Sequence, residues 1–202
     1  MKKFFVIVCL LFTSLHSQIR MPDKVYAGVG AAVPANPDYF YDYWKTGYGV
    51  QFIGTYVSQN TFDPMITAEG YWFGFDDRRY FQRFNADPSQ STFEGGNAVV
   101  ISVSGTERYR IPGYETSVPY FFAGIGLTFS DIGKATMTYP FSSVTKGSQP
   151  SVGAVIPLGV CIETKYKNST DIIITLKYSY GIPTSKTILS GFTSLSLGLK
   201  PF

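Results

Sequence analysis

The chain has 202 residues, of which 17% are aromatic and 15% are charged, and its formal net charge is +3. This length fits one domain, and because Lys2 and Lys3 supply much of the surplus positive charge, the rest of the chain is nearly neutral. Such a chain offers no basic surface to neutralise phosphates, so we expect no nucleic-acid partner.

Residues 1–17 predict a signal peptide. A basic start precedes the apolar run 4–12, which is too short to cross a bilayer as a helix, and small or polar residues follow up to Ser17. Cleavage after Ser17 would remove the only histidine, His16, and would leave Cys161 without a partner for an intramolecular disulfide.

In eight segments after this leader the residue character alternates from one position to the next. This pattern predicts β-strands whose two faces differ, because successive side chains of a strand point to opposite sides. In the segment 154–166, for example, one row contains Leu158 and Ile162, whereas the other contains Glu163. The eight predicted strands are 24–33, 47–57, 65–75, 98–110, 120–129, 154–166, 171–180 and 191–202.

The connections between these strands also follow a pattern. Long segments, 34–46, 76–97 and 130–150, alternate with shorter ones, as long extracellular loops and short periplasmic turns do in outer-membrane barrels. A sheet in lipid must close on itself, because hydrocarbon offers no water to bond free strand edges. The sequence therefore predicts an all-β fold, an eight-stranded antiparallel up-and-down transmembrane β-barrel.

Several segments resemble the small eight-stranded outer-membrane barrels, the OmpA/OmpX-like and opacity-porin-like superfamily. They are V-Y-A-G-V-G at 25–30, P-Y-F-F-A-G-I-G-L-T-F at 119–129, the strand 157–166 and the final strand ending in Phe202. The resemblance implies that residues 18–202 form one outer-membrane barrel domain. It also implies outer-membrane lipid and lipopolysaccharide as surroundings, and Phe202 as a signal for the barrel-assembly machinery.

Charged residues on the predicted inner rows are candidates for a salt-bridge network that fills the barrel. Charges excluded from lipid must pair inside a barrel of this width, which side chains just fill. The alternative interpretation is a gate or a narrow polar path, with Glu163 bridging to Lys177 or Lys165. The candidate residues are Glu69, Arg108, Glu163, Lys165, Lys177 and Lys200.

The first long connection is rich in aromatic residues. They predict either an aromatic girdle at the headgroup level or a patch that binds a surface partner. These residues are Tyr39, Phe40, Tyr41, Tyr43 and Trp44. In the second long connection, Arg78, Arg79 and Arg83 could contact lipopolysaccharide phosphates or belong to a solvated loop.

The expected function is non-enzymatic: an outer-membrane barrel with a role in envelope integrity or in surface interactions through its loops, with an unidentified surface ligand. We predict no catalytic residue, cofactor or metal site, because residues 18–202 contain no histidine to act as a general base or metal ligand. The alternatives are a narrow channel or conduit, a lipid-modifying enzyme, and a soluble lipocalin-like barrel whose apolar rows would face inward.

Overall fold

The computed structural model describes residues 21–35, 43–58, 61–83, 87, 89–166, 170–183 and 191–200. Eleven strands and one helix lie within them. They are β1 (Lys24–Pro34), β2 (Gly47–Thr55), β3 (Phe62–Phe73), α1 (Asp77–Arg83), β4 (Thr92–Gly95), β5 (Ala98–Arg110), β6 (Ser117–Ile132), β7 (Ala135–Tyr139), β8 (Ser142–Lys146), β9 (Gln149–Tyr166), β10 (Thr170–Pro183) and β11 (Gly191–Leu199).

Eight of the strands close into an antiparallel barrel in the order β1-β11-β10-β9-β6-β5-β3-β2. The closing pair joins the first strand to the last, from Ala27 opposite Leu199 to Pro34 opposite Phe192. Each barrel strand thus has a partner on both sides, and the barrel has no free sheet edge. This confirms the predicted all-β fold, its strand number and its up-and-down order.

The outer face of the barrel is predominantly apolar. Val29 is 65% exposed and Leu127 is 67% exposed, whereas Gln51 and Ser194, which face inward, are almost fully buried. An apolar surface of this extent would be unfavourable in contact with water, but it is the normal surface of a barrel surrounded by lipid. The soluble lipocalin-like alternative is therefore wrong about which face is apolar.

Inside the barrel, aromatic rings lie over glycines of the neighbouring strand. A Cβ atom added to Gly49 would lie 2.6 Å from Cδ1 of Tyr71, and one added to Gly30 would lie 3.1 Å from the Tyr71 hydroxyl. One tyrosine ring thus fills the space that two glycines leave, which lets a narrow barrel hold large rings without voids.

A second sheet of three strands, β4-β7-β8, lies in segments predicted as plain long connections, and α1 lies in one of them. The sequence predicts neither strands nor a helix within these connections. These strands are short and mostly polar on both rows, so they carry no alternation to detect. Within the described residues, no helix has the length and apolar character needed to span a membrane.

We expect Gly49→Val to impair folding of the barrel, because the new side chain would overlap the carbonyl oxygen of Gly70 and the Tyr71 ring; overpacking of this kind costs about 1–3 kcal/mol. The measurement is the folded fraction after refolding into detergent, read as the heat-modifiable band on unboiled gels. Gly105→Ala is the matched control, since a Cβ there has no atom within 4 Å. Equal folding of the two variants would contradict the prediction.

Candidate functional site

A buried ion pair crosses the middle of the barrel. Lys177 on β10 donates to Glu69 on β3, although these strands are not neighbours in the sheet, and the two side chains are only 5% and 3% exposed. The hydroxyl of Ser102 donates to the other carboxylate oxygen of Glu69 at 2.7 Å. The charges thus neutralise each other where water is excluded, and the pair ties opposite walls together.

A second network lies at the end of the barrel where the connections are short. The Arg108 guanidinium, 1% exposed, donates to Glu163 and also lies 3.6 Å from Asp63. Its carbon is 4.3 Å from the centre of the Tyr120 ring, a cation–π contact. Arg108 is therefore surrounded by two carboxylates and an aromatic face, so its buried charge is compensated.

This network continues across the wall as a chain of alternating charge. Arg110 Nη2 lies 3.3 Å from Asp63 Oδ2 on one side of Arg108. On the other side, Lys24 Nζ lies 3.2 Å from Glu163 Oε2 and 3.1 Å from Asp171 Oδ2. The sign alternates along Arg110, Asp63, Arg108, Glu163, Lys24 and Asp171, so each charge has opposite charges beside it.

The structure brings Glu69, Arg108, Glu163 and Lys177 into the interior but not the other two candidates. Lys165 is exposed, because it lies two residues beyond Glu163 where the wall ends, and Lys200 follows the last residue of β11. Neither forms an ion pair within the described part of the chain. The predicted bridges from Glu163 to Lys177 or Lys165 are wrong: the partners of Glu163 are Arg108 and Lys24.

Sequence reasoning missed Lys24, Asp63, Arg110 and Asp171 as network members. All four lie within two residues of a strand end, where a charge is ordinarily solvated. Their positions in the alternating pattern could have identified them, because each occupies the row of its strand that faces the interior.

The end of the barrel with long connections is filled by aromatic rings. Phe192 packs edge-on against Tyr71 and Phe73 inside the wall, and these two rings are tilted toward each other, with ring centres 5.4–6.4 Å apart in the three pairs. Beyond them, Phe75 stacks on Phe93 of β4 at 4.2 Å, and Tyr80 of α1 packs against both rings. Aromatic packing thus closes this end and joins the three-stranded sheet to the barrel.

Tyr43 and Trp44 belong to this aromatic packing. Each is 8% exposed, and the Trp44 indole donates to the carbonyl of Gly96 at 2.9 Å. These two side chains therefore form neither the predicted girdle nor an exposed patch, because the loop folds them against Phe75. Tyr39, Phe40 and Tyr41 lie outside the described residues, as does Phe202.

Other site chemistry is sparse. Burial, together with the nearby Tyr139, raises the pKa of Tyr80 above its ordinary value, so this phenol stays neutral. The thiol of Cys161 is buried in the wall. No three His, Cys, Asp or Glu side chains of the described residues are placed to hold a metal ion.

We expect Lys177→Met to destabilise the barrel by about 3–5 kcal/mol, because it leaves the Glu69 carboxylate buried without its partner. The measurement is urea unfolding of the protein refolded in phospholipid vesicles. Adding Glu69→Gln should recover most of the loss, since the remaining partner is then neutral. Lys165→Met is the control, and we expect a change within about 0.5 kcal/mol for this exposed position. A loss as large in the control as in Lys177→Met would contradict the assignment.

No protein-family model and no curated protein matches the chain. Among solved structures, it is similar to the attachment invasion locus protein Ail of Yersinia pestis, with 15% identity, a TM-score of 0.50 and coverage of 90% of this chain and 97% of Ail. A major outer membrane protein from Thermus thermophilus gives 10% identity, a TM-score of 0.50 and coverage of 87% of this chain and 97% of that protein. Together with the closed barrel, these similarities establish the fold of small outer-membrane β-barrels.

Proposed function

We propose that this chain is an integral outer-membrane protein without enzymatic activity, which anchors in lipid through its barrel and interacts with a surface partner through its long-loop end. Outer-membrane lipid and lipopolysaccharide surround it, and the barrel-assembly machinery inserts it. The apolar outer wall and the absence of free edges in the described barrel support the anchoring part of this proposal, since both are what hydrocarbon demands.

The two ends of the barrel differ in a way that supports an orientation. The connections 56–61 and 111–116 are short, whereas the segments between β3 and β5 and between β6 and β9 hold the three-stranded sheet and α1. Outer-membrane barrels have short periplasmic turns and longer extracellular loops. The sheet β4-β7-β8 therefore faces the cell exterior in this proposal.

The observation that carries the surface role is the hairpin formed by β7 and β8. Phe141 at its tip is 101% exposed, Val144 is 61% exposed, and β8 pairs only with β7 among the described strands, which leaves its other edge open. Exposed aromatic side chains anchor protein interfaces, and an open edge can accept an added strand. Because Phe93 holds this sheet on the aromatic packing, the hairpin presents its tip on a fixed base.

The filled interior disfavours the channel alternative. The Glu69–Lys177 pair crosses the lumen, the alternating charges occupy one end and aromatic rings occupy the other. An eight-stranded barrel has an interior just wide enough for such side chains. Reproducible single-channel conductance of the wild-type protein in planar bilayers would contradict this part of the proposal.

We expect Ser143→Cys to react with a membrane-impermeant maleimide on intact cells, because β8 is exposed and lies outside the cell in the proposed orientation. Glu115→Cys, in the short connection 111–116, should react only after the outer membrane is permeabilised. Cys161 contributes no background, since it is buried. The reverse labelling pattern would contradict the orientation, and recovery of the protein in the soluble periplasm would contradict the anchoring.

We expect Phe141→Ser to lower the binding of intact expressing cells to an array of immobilised glycans and peptides by about tenfold, the scale of a lost anchor side chain. Tyr114→Ser is the matched control, because Tyr114 is also an exposed aromatic but lies in a short connection at the other end. Surface labelling at residue 143 confirms equal display of the two variants. Wild-type cells that bind no more than empty cells, or equal binding of both variants, would contradict the surface role.

A further inference from the structure

One charged side chain lies within the apolar outer wall. The outward row of β5 contains Val99, Ile101, Val103, Gly105, Glu107 and Tyr109, and Glu107 is exposed. Its neighbours across the sheet are Pro64 on β3 and Ala123 on β6, so both flanking strands are apolar at this point. Within the described part of the chain, Glu107 forms no ion pair.

The depth of Glu107 brings it within reach of a lipid headgroup. It lies two residues inward from Tyr109, whose ring packs against that of Phe62 at 5.5 Å. Aromatic rings mark the interface in outer-membrane barrels, and two strand residues span about 7 Å. The carboxylate is therefore just inside the interface at the short-connection end, which is the periplasmic leaflet in the proposed orientation.

A groove of about 540 Å³ begins at this carboxylate. Its floor is low because Ala123 and Gly159 carry little or no side chain. Its walls are apolar and are formed by Phe62, Tyr109, Phe121, Leu158 and Val160. The groove thus joins one acidic group to a surface that favours an extended hydrocarbon chain.

We propose that this groove holds a phospholipid with a primary ammonium headgroup, whose ammonium donates to the Glu107 carboxylate and whose acyl chain lies along the apolar walls. This inference rests on the proposed membrane location. A carboxylate facing hydrocarbon is unfavourable unless it is paired, and an ammonium supplies both opposite charge and N–H donors. An anionic headgroup would be repelled, so charge complementarity selects the aminophospholipid.

The test compares phosphatidylethanolamine with phosphatidylglycerol of the same acyl chains, added to the refolded full chain in detergent, with bound lipid counted by native mass spectrometry. We expect about tenfold preferential retention of phosphatidylethanolamine by the wild-type protein. Glu107→Gln should lose that preference, whereas Glu115→Gln, with the same charge change in a short connection, should keep it. Ala123→Phe, which fills the groove, should lower retention of both lipids.

Equal retention of the two lipids by the wild-type protein would overturn the inference, as would an unchanged preference in Glu107→Gln. A dimer that disappears in Glu107→Gln would also overturn it, because the occupant would then be a second copy of the chain. Heat modifiability is checked for each variant, and removal of a charge from a lipid-facing position should not impair folding. A failure of membrane anchoring would appear in fractionation and labelling, independently of any lipid preference measured in detergent.

Discussion

The structure depends on the satisfaction of backbone hydrogen bonds by closure of the sheet. In hydrocarbon an unpaired N–H or C=O has no water to bond, so the first strand must pair with the last. β1 does so with β11 from Ala27 to Pro34. Closure fixes a narrow lumen, and the lumen in turn determines which side chains fit. Glycines beneath aromatic rings and ion pairs in place of water are both consequences of that width.

The two faces of the wall obey opposite rules. Outward positions need only be apolar, so Leu, Val, Ile and Phe can replace one another there at little cost. Inward positions are matched to one another: Lys177 requires Glu69, and Arg108 requires Glu163. The carboxylate of Glu107 is a charged group on an otherwise apolar face. We therefore interpret it as part of a ligand site and not as part of the scaffold.

The sequence was sufficient for the fold and for much of the candidate network. Alternation identified all eight barrel strands, and parity placed Glu163 on the inner row of its strand. The third strand is aromatic on both rows, so only the charge of Glu69 indicated which of its rows avoids lipid. It could not assign the partners, because pairing across the lumen depends on the tilt and stagger of the strands, which no local pattern records. Glu163 therefore meets Arg108, not Lys177. The loop sheet was missed because aromatic packing stabilises it, not strand periodicity.

The ion pairs also bear on how the barrel is made. Lys24 comes from the first strand, whereas Glu163 and Asp171 come from two of the last three, on the far side of the seam between β1 and β11. A sheet that has not yet closed holds these charges apart, and each would then meet lipid or water alone. These contacts form only when the final strands pair. They therefore stabilise the closed barrel and not a half-assembled one. The same residues that fill the finished lumen thus make its assembly more nearly all-or-none.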